Sequence, residues 1–215
     1  YVIISKKKIL FINGYLKHYM SLDERYRILF EPLKIGPVTA PNRFYQVPHC
    51  NGMGYRDVSG MVALRAIKAE GGWGTVCTEQ VEIHYTSEIT PFIELRIWDD
   101  RDVPLLARIT SAVHEYGSLA GIELAYNGIN GPNLYSREVP LGPSDLPTLT
   151  FTNDPVQARA MTKSDIADLR RWHRKAALRA KSAGFDIIYV YGAHGFGAPQ
   201  HFISRRFNHR TDEYG

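Results

Sequence analysis

The hydrophobic positions along the chain follow two kinds of repeat, and the two kinds alternate in order. Short apolar runs typical of buried strands occupy residues 43–47, 75–81, 119–125 and 185–191. Between them, apolar residues recur at helical spacing over 59–69, 102–117 and 162–184. This order of strand, helix and strand predicts an α/β fold with a parallel sheet and right-handed crossovers.

Turn and cap residues mark the ends of the predicted helices. Gly71-Gly72 follows the first helix, Asp102 is expected to cap the second, and Gly117 ends it. Residues 162–165 resemble a capping box with Asp in place of the usual Glu, and the third helix then runs to Gly184. The basic run 170–175 in that helix is expected to be a solvated face.

Two other segments have a different character. A short hairpin is predicted over Leu29-Phe30 and Val38-Thr39, with Gly36-Pro37 as its turn. Residues 127–161 are rich in glycine and proline and show no sustained repeat, so we expect a long excursion after the third strand.

The element order indicates a (β/α)8 TIM barrel of which the first four βα units are present. A complete barrel of this kind needs about 250 residues, and the chain has 215. We therefore expect residues 20–215 to form the N-terminal half of the barrel. Residues 1–19 precede Met20 and are expected to be a non-native or disordered extension.

Composition excludes several classes of protein. The net charge of +4 is spread along the chain without a basic block, so no nucleic-acid partner is expected. No apolar run approaches the roughly 20 residues of a membrane span, and no membrane partner is expected. The two cysteines, Cys50 and Cys77, do not suggest a disulfide framework, and they suit a reducing, cytoplasmic location.

Residues able to do chemistry follow the predicted strands. Cys50 comes after the first strand, Gln80 ends the second, Glu123 lies in the third, and Tyr191 and His194 follow the fourth. TIM barrels place their active sites at the carboxyl ends of the strands, so these five residues are expected to share one site. A lone cysteine in such a place is more often a small buried apolar residue than a reagent.

Four segments together resemble the flavin-binding barrel of the trimethylamine, dimethylamine and histamine dehydrogenases, a branch of the old yellow enzyme superfamily. They are RFYQVPHC at 43–50, KAEGGWG at 68–74, RIWD at 96–99 and YVYGAH at 189–194. The resemblance runs from about Ile28 to Gly215. It implies that FMN is bound, and that the cysteine matching Cys50 is joined covalently to carbon 6 of the flavin.

The resemblance also implies which residues meet the cofactor. These cofactor-binding residues are expected to be Val47, Pro48, His49, Cys50, Gln80 and Glu123. Glu123 stands where the wider superfamily has a glutamine at the flavin pyrimidine edge. A structural role for Glu123 alone is disfavoured, because an unpaired carboxylate inside a strand is costly. His49 is equally compatible with a packing role.

Tyr191 and His194 are expected to be catalytic. Ene-reductases of the superfamily have His-x-x-His or His-x-x-Asn here, whereas this chain has the Tyr-x-x-His of the amine dehydrogenases. In that branch the pair works with an aspartate from a later strand. A phenol that can shed its proton suits a substrate whose ammonium proton must leave. The alternative is a buried Tyr–His hydrogen bond that serves only the fold.

Gln80 and Ala125 refine the substrate. The dimethylamine and histamine enzymes resemble this chain in having glutamine at Gln80, where the trimethylamine enzyme has tyrosine. Ala125 replaces a tryptophan, which predicts a roomier pocket. Together with Tyr191 and His194, these residues are expected to bind a secondary or N-methylated amine bulkier than dimethylamine.

The resemblance thus predicts an FMN-dependent amine dehydrogenase or N-demethylase that transfers a hydride to flavin N5. The alternatives are an NAD(P)H-dependent ene-reductase and an inactive flavoprotein fragment. The expected partners are a small amine, an electron-transfer flavoprotein and further copies of the chain. A [4Fe–4S] cluster is expected only in sequence beyond Gly215, and no metal site is expected within the chain.

Overall fold

The computed structural model describes residues 23–87, 94–132, 136–148 and 156–215. The strands are β1 (Leu33–Ile35), β2 (Val38–Ala40), β3 (Tyr45–Gln46), β4 (Thr75–Glu82), β5 (Leu95–Arg96), β6 (Leu119–Ala125), β7 (Leu141–Gly142), β8 (Arg159–Ala160) and β9 (Ile187–Val190). The α-helices are α1 (Val58–Glu70), α2 (Val103–His114), α3 (Lys163–Ser182) and α4 (Ala198–Ile203). Among the described residues, 3-10 helices cover Glu24–Phe30, Tyr85–Ser87, Asp100–Asp102 and Gly128–Asn130.

The central sheet is parallel and has the strand order β3-β4-β6-β9, with β5 paired to the end of β4. Each pair of neighbouring strands in that path is joined through a helix, which confirms the predicted α/β order. The third predicted strand, 119–125, is observed with the same bounds, while the first and fourth are shorter than predicted. Because β3, β4, β6 and β9 are parallel, their carboxyl ends lie at one edge of the sheet.

The core lies between the sheet and its helices. Every residue of β4 is buried, as expected for a central parallel strand that is covered on both faces. Met61 of α1, Leu106 and Ile109 of α2, and Ile122 of β6 are each at most 2% exposed and belong to one apolar cluster. Burying side chains of this size stabilises the fold by about 1.5–3 kcal/mol each.

The start of α3 confirms the predicted capping box. Thr162 Oγ1 accepts a hydrogen bond from the Asp165 backbone N–H at 3.1 Å, and Asp165 Oδ2 accepts one from the Thr162 N–H at 2.8 Å. The shorter Asp side chain therefore makes the same hydrogen bond to the N-cap backbone that Glu makes in the usual capping box.

Asp102 is the N-cap residue of α2, as predicted, but its side chain makes no cap bond to the helix. Its carboxylate instead accepts from the Asp99 N–H at 3.1 Å and from Arg96 Nε at 3.1 Å. The reason is that a 3-10 turn, with Asp99 as its own cap, precedes the helix.

The hairpin prediction is wrong in its first strand. Leu29-Phe30 lies in a 3-10 turn capped by Asp23, and the observed hairpin pairs β1 with β2 instead. The predicted turn is confirmed, with Gly36 at φ +56°. The predicted extension, 1–19, lies outside the described residues.

Two further expectations have mixed outcomes. In the excursion after β6, the described residues form the 3-10 turn at Gly128–Asn130 and the short parallel pair β7–β8. Residues 133–135 and 149–155 of this segment lie outside the described ranges. In α3 the four cationic residues of 170–175 are exposed, but Trp172 is half-buried and stacks on His84, with ring centroids 3.8 Å apart. Within the described ranges, no helix has the length and apolarity needed to cross a bilayer.

Candidate active site

The carboxyl ends of β3, β4, β6 and β9 bring the predicted site residues together. Gln80 and Glu123 are direct partners in the register of β4 and β6, and Glu123 is in register with the end of β9. Tyr191 follows β9, and its backbone N–H donates at 2.9 Å to the carbonyl of Leu124, the residue after Glu123. Chemical groups from four strands therefore share one edge of the sheet, as predicted.

Cys50 lies in the loop after β3 and is exposed as a residue. Its thiol nevertheless faces protein, since Sγ donates to Glu94 Oε1 at 3.2 Å. Burial of the sulfur and then the charge of Glu94 raise the pKa of the thiol well above its usual range. Cys50 is therefore a neutral thiol at physiological pH and needs help from a base before it can react.

His49 is held by a buried arginine. Arg65 of α1 is 0% exposed and donates from Nη2 to the His49 carbonyl at 2.9 Å. Its Nη1 lies 3.2 Å from His49 Nδ1 and 3.3 Å from Gln46 Oε1. Burial and the charge of Arg65 lower the pKa of His49, so the ring is neutral and Nδ1 accepts from Arg65. His49 thus has a defined place beside Cys50.

Sequence reasoning missed Arg65. A signal for it does exist: Met61, Arg65 and Ala69 recur at four-residue spacing, and all three are buried on one face of α1. A cation on the apolar face of an amphipathic helix requires a partner inside the protein.

Glu79 was missed as well, although it stands within a predicted buried strand. It is 0% exposed, and its two carboxylate oxygens accept from the Asn51 N–H and the Leu95 N–H, both at 3.1 Å. Burial raises the pKa of Glu79 to about 7. A carboxylate inside a strand predicted to be buried was the available signal, because such a group needs partners within the protein.

The Gln80 side chain is oriented by a buried network. Its Nε2 donates to Glu82 Oε1 at 2.7 Å and to Asn127 Oδ1 at 2.9 Å. Asn127 Nδ2 in turn donates to the Ser87 carbonyl, which fixes which way the Asn127 amide faces. Both N–H groups of Gln80 are therefore used inside the protein, and the side-chain group with which it can bind a ligand is its carbonyl oxygen, a hydrogen-bond acceptor.

Tyr191 and His194 form a hydrogen-bonded pair, with the phenol oxygen 3.0 Å from His194 Nδ1. Tyr191 is 8% exposed, and burial followed by the charge of Glu123 raises its pKa above the usual range. The phenol is thus protonated and donates to the imidazole. His194 has φ +58°, a left-handed backbone that is unusual for a side-chain-bearing residue and occurs at functional sites.

The remaining predicted residues differ in accessibility. Val47 is 63% exposed and Pro48 is half-buried, so both can meet a ligand. Ala125 is 0% exposed and belongs to a small apolar cluster with Tyr191 and Phe196. The structure shows no open space against its methyl group, and the roomier pocket stays a prediction.

The side chains at this edge of the sheet match the chemical groups of a flavin. Val47 offers an apolar surface to a ring, and Gln80 offers a hydrogen-bond acceptor. Glu123 is half-buried with its pKa raised to about 7 by burial and by Glu94, so it can donate or accept at neutral pH. Flavin pyrimidine edges carry both donors and acceptors, which this mixture matches. Among the described residues, no cluster of metal-ligating side chains is found.

Comparison with known proteins places the chain among flavoenzymes. Its residues 28–215 match the model of the NADH:flavin oxidoreductase / NADH oxidase family. Dimethylamine dehydrogenase from Hyphomicrobium sp. (strain x) is 44% identical over 209 residues, which are 91% of this chain and 27% of that protein.

Two solved structures are also similar. Histamine dehydrogenase from Rhizobium sp. 4-9 is 66% identical with a TM-score of 0.87, over 90% of this chain and 30% of that one. An amine oxidase for 6-hydroxypseudooxynicotine from Pseudomonas geniculata N1 is 51% identical with a TM-score of 0.86, over 90% of this chain and 29% of that one.

The chain spans less than a third of the length of each of these three relatives. Over the part that is shared, the predicted fold class, the TIM-type α/β barrel of the old yellow enzyme superfamily, is confirmed. Since the family match covers most of the sequence, the chain belongs to the NADH:flavin oxidoreductase / NADH oxidase family.

Proposed function

We propose that this chain carries the flavin and substrate site of an FMN-dependent dehydrogenase that oxidises a C–N bond of a secondary or N-methylated amine. The observation that carries the proposal is the Tyr191–His194 pair, 3.0 Å apart beside Glu123 and Gln80. The similarity to a dimethylamine dehydrogenase and a histamine dehydrogenase supports the same class of substrate.

Val47, Pro48, His49, Cys50, Gln80 and Glu123 are the residues that would hold FMN. When bound, FMN supplies the hydride acceptor for the substrate C–H bond. Cys50 offers the sulfur for a covalent link to the flavin, and its place in the loop after β3, at the same edge of the sheet as Gln80 and Glu123, supports that role. Glu123 would exchange a hydrogen bond with the pyrimidine edge.

The side chains provide a route for the substrate's ammonium proton. An amine at neutral pH carries a proton that must leave before or as its C–H bond is broken. Tyr191 can accept that proton while passing its own to His194 Nδ1, to which it is already hydrogen-bonded. Gln80 can accept a hydrogen bond from the substrate N–H through its carbonyl oxygen, since its N–H groups are used by Glu82 and Asn127. Phe196 packs with Tyr191 and limits water beside the phenol.

Four further expectations stay predictions: the first three rest on the resemblance, and the last rests on the cysteine content. They are an electron-transfer flavoprotein as acceptor, a [4Fe–4S] cluster in sequence beyond Gly215, assembly into a homo-oligomer, and a cytoplasmic location.

Tyr191→Phe tests the proposal in the flavin-loaded protein. The ring packing is kept and the proton carrier is lost, so flavin reduction by an amine should slow by about 10²–10⁴ with flavin content unchanged. Stopped-flow bleaching under excess amine measures this step. The deficit should shrink as pH approaches the pKa of the substrate amine, because a neutral amine has no proton to give.

Tyr189→Phe is the matched control. Tyr189 lies in β9, two residues before Tyr191, and its phenol bonds Tyr45 rather than His194. A reduction rate unchanged in Tyr191→Phe at neutral pH, or an equal loss in Tyr189→Phe, would overturn the proposal.

A further inference from the structure

Cys50 is flanked along the chain by contacts to two buried ionisable side chains, Arg65 and Glu79. Arg65 donates at 2.9 Å to the carbonyl of His49, the residue that precedes Cys50. Glu79 accepts from the N–H of Asn51, the residue after it, at 3.1 Å. Both side chains are 0% exposed. The hydrogen bond from Arg65 is charge-assisted and thus about twice as strong as a neutral one, and a Glu79 oxygen accepts from the Asn51 N–H, so the backbone is held on both sides of Cys50.

Glu79 also fixes the group that the thiol contacts. Its second oxygen accepts from the N–H of Leu95 at 3.1 Å, and Leu95 directly follows Glu94. The Glu79 carboxylate therefore binds the backbone of Asn51 and of Leu95, the residues that follow Cys50 and Glu94. Cys50 Sγ in turn lies 3.2 Å from Glu94 Oε1. Glu79 thus forms a bridge that links the loop after β3 to the start of β5. Cys50 and Glu94, which meet there, are 44 residues apart in the sequence.

Arg65 makes the corresponding link to the sheet. Its Nη1 lies within 3.3 Å of Gln46 Oε1, at the end of β3, and within 3.2 Å of His49 Nδ1. The strand end and the loop are thus tied to one guanidinium on α1. Buried charges are a poor way to gain stability, because apolar residues of similar volume often serve the fold as well or better. A role in placing Cys50 accounts for charges at these two positions.

We propose that Arg65 and Glu79 are positioning residues for Cys50, which together hold its thiol against Glu94 at the mouth of the flavin site. The inference goes beyond the proposed function, because it concerns the placement of the thiol and holds for any substrate. It predicts that flavin attachment to Cys50 and the reactivity of its thiol change when Arg65 or Glu79 is replaced.

Glu79→Gln and Arg65→Lys test this in the native protein. Glutamine keeps the size of Glu79 but turns an NH₂ group toward one of the two backbone N–H donors, so the bridge is broken. Lysine keeps the charge of Arg65 but has no fork with which to reach both the His49 carbonyl and Gln46. Asp102→Asn is the matched control, since that carboxylate is also buried and bonds a backbone N–H, but it lies on the turn before α2.

Two readouts follow the Cys50 peptide by mass spectrometry: the fraction that carries flavin and, for the free fraction, the rate of alkylation by iodoacetamide at pH 8. Cys77 is 0% exposed and serves as the internal reference for unfolding. We expect both positioning variants to lower the flavin-bearing fraction at least twofold. Where the thiol is free, alkylation should quicken about tenfold, as expected if the pKa of the thiol falls by about one pH unit.

Asp102→Asn should change neither readout. Unchanged Cys50 readouts in both positioning variants would overturn the inference, and so would an equal change in Asp102→Asn. Neither readout uses an amine, so a failure here is distinct from a failure of the proposed amine oxidation. Arg65→Lys is an independent test in case Glu79→Gln does not fold.

Discussion

Glu123 makes the stability of the protein depend on pH in a direction that the structure specifies. It is half-buried in the middle strand β6, and burial followed by the charge of Glu94 raises its pKa from 4.5 to about 7. Between those two values the folded protein binds more protons at Glu123 than the unfolded chain does. The free energy of unfolding therefore falls as pH rises from about 4.5 to about 7, and the loss is complete above that.

The magnitude follows from that difference in pKa. At 1.36 kcal/mol per pH unit, a rise from 4.5 to about 7 corresponds to at most about 3 kcal/mol. The side chain is partly exposed, and screening by solvent reduces this to about 1–2 kcal/mol. Glu123→Gln removes the ionisation and keeps the shape. We expect the variant to be more stable than the parent protein by about 1–2 kcal/mol at pH 8, with no gain near pH 4.5.

Urea denaturation at pH 4.5 and pH 8, followed by tryptophan fluorescence, measures this difference. Glu213→Gln provides a control of opposite sign. Glu213 is ion-paired with Lys163, which lowers its pKa, so its contribution to stability is present at pH 8 and is lost as pH falls. The reasoning about Glu123 is refuted if Glu123→Gln and the parent have equal midpoints at pH 8, or if the gain persists at pH 4.5.

Two further predictions concern the fold. Thr162→Ala removes the acceptor for the Asp165 N–H and should lower the free energy of unfolding by about 1 kcal/mol, measured by urea denaturation; an unchanged midpoint would show that the capping box contributes nothing. Gly121→Ala should cost about 1–3 kcal/mol, because a Cβ at Gly121 would lie 2.5 Å from Cys77 Sγ. Adding Cys77→Ala should recover most of that loss, and strictly additive losses in the double variant would contradict this explanation.

The sequence by itself determined the parallel α/β order and the edge of the sheet at which the candidate site lies. Hydrophobic periodicity shows which residues form a strand or a helix, and parallel strands place their carboxyl ends at one edge. Cys50, Gln80, Glu123, Tyr191 and His194 could therefore be assigned to that edge before any contact was known. The capping box at 162–165 was equally readable, because both of its partners lie within one helical turn.

Only the tertiary structure decided how those residues are held. The contacts of Arg65 with His49, Glu79 with Asn51, and Cys50 with Glu94 join positions 16, 28 and 44 residues apart. A periodic pattern tells which face of an element is buried, but not which residue on another element it meets. That pairing depends on strand register and on how the helices pack against the sheet, and both arise only when the whole sheet assembles.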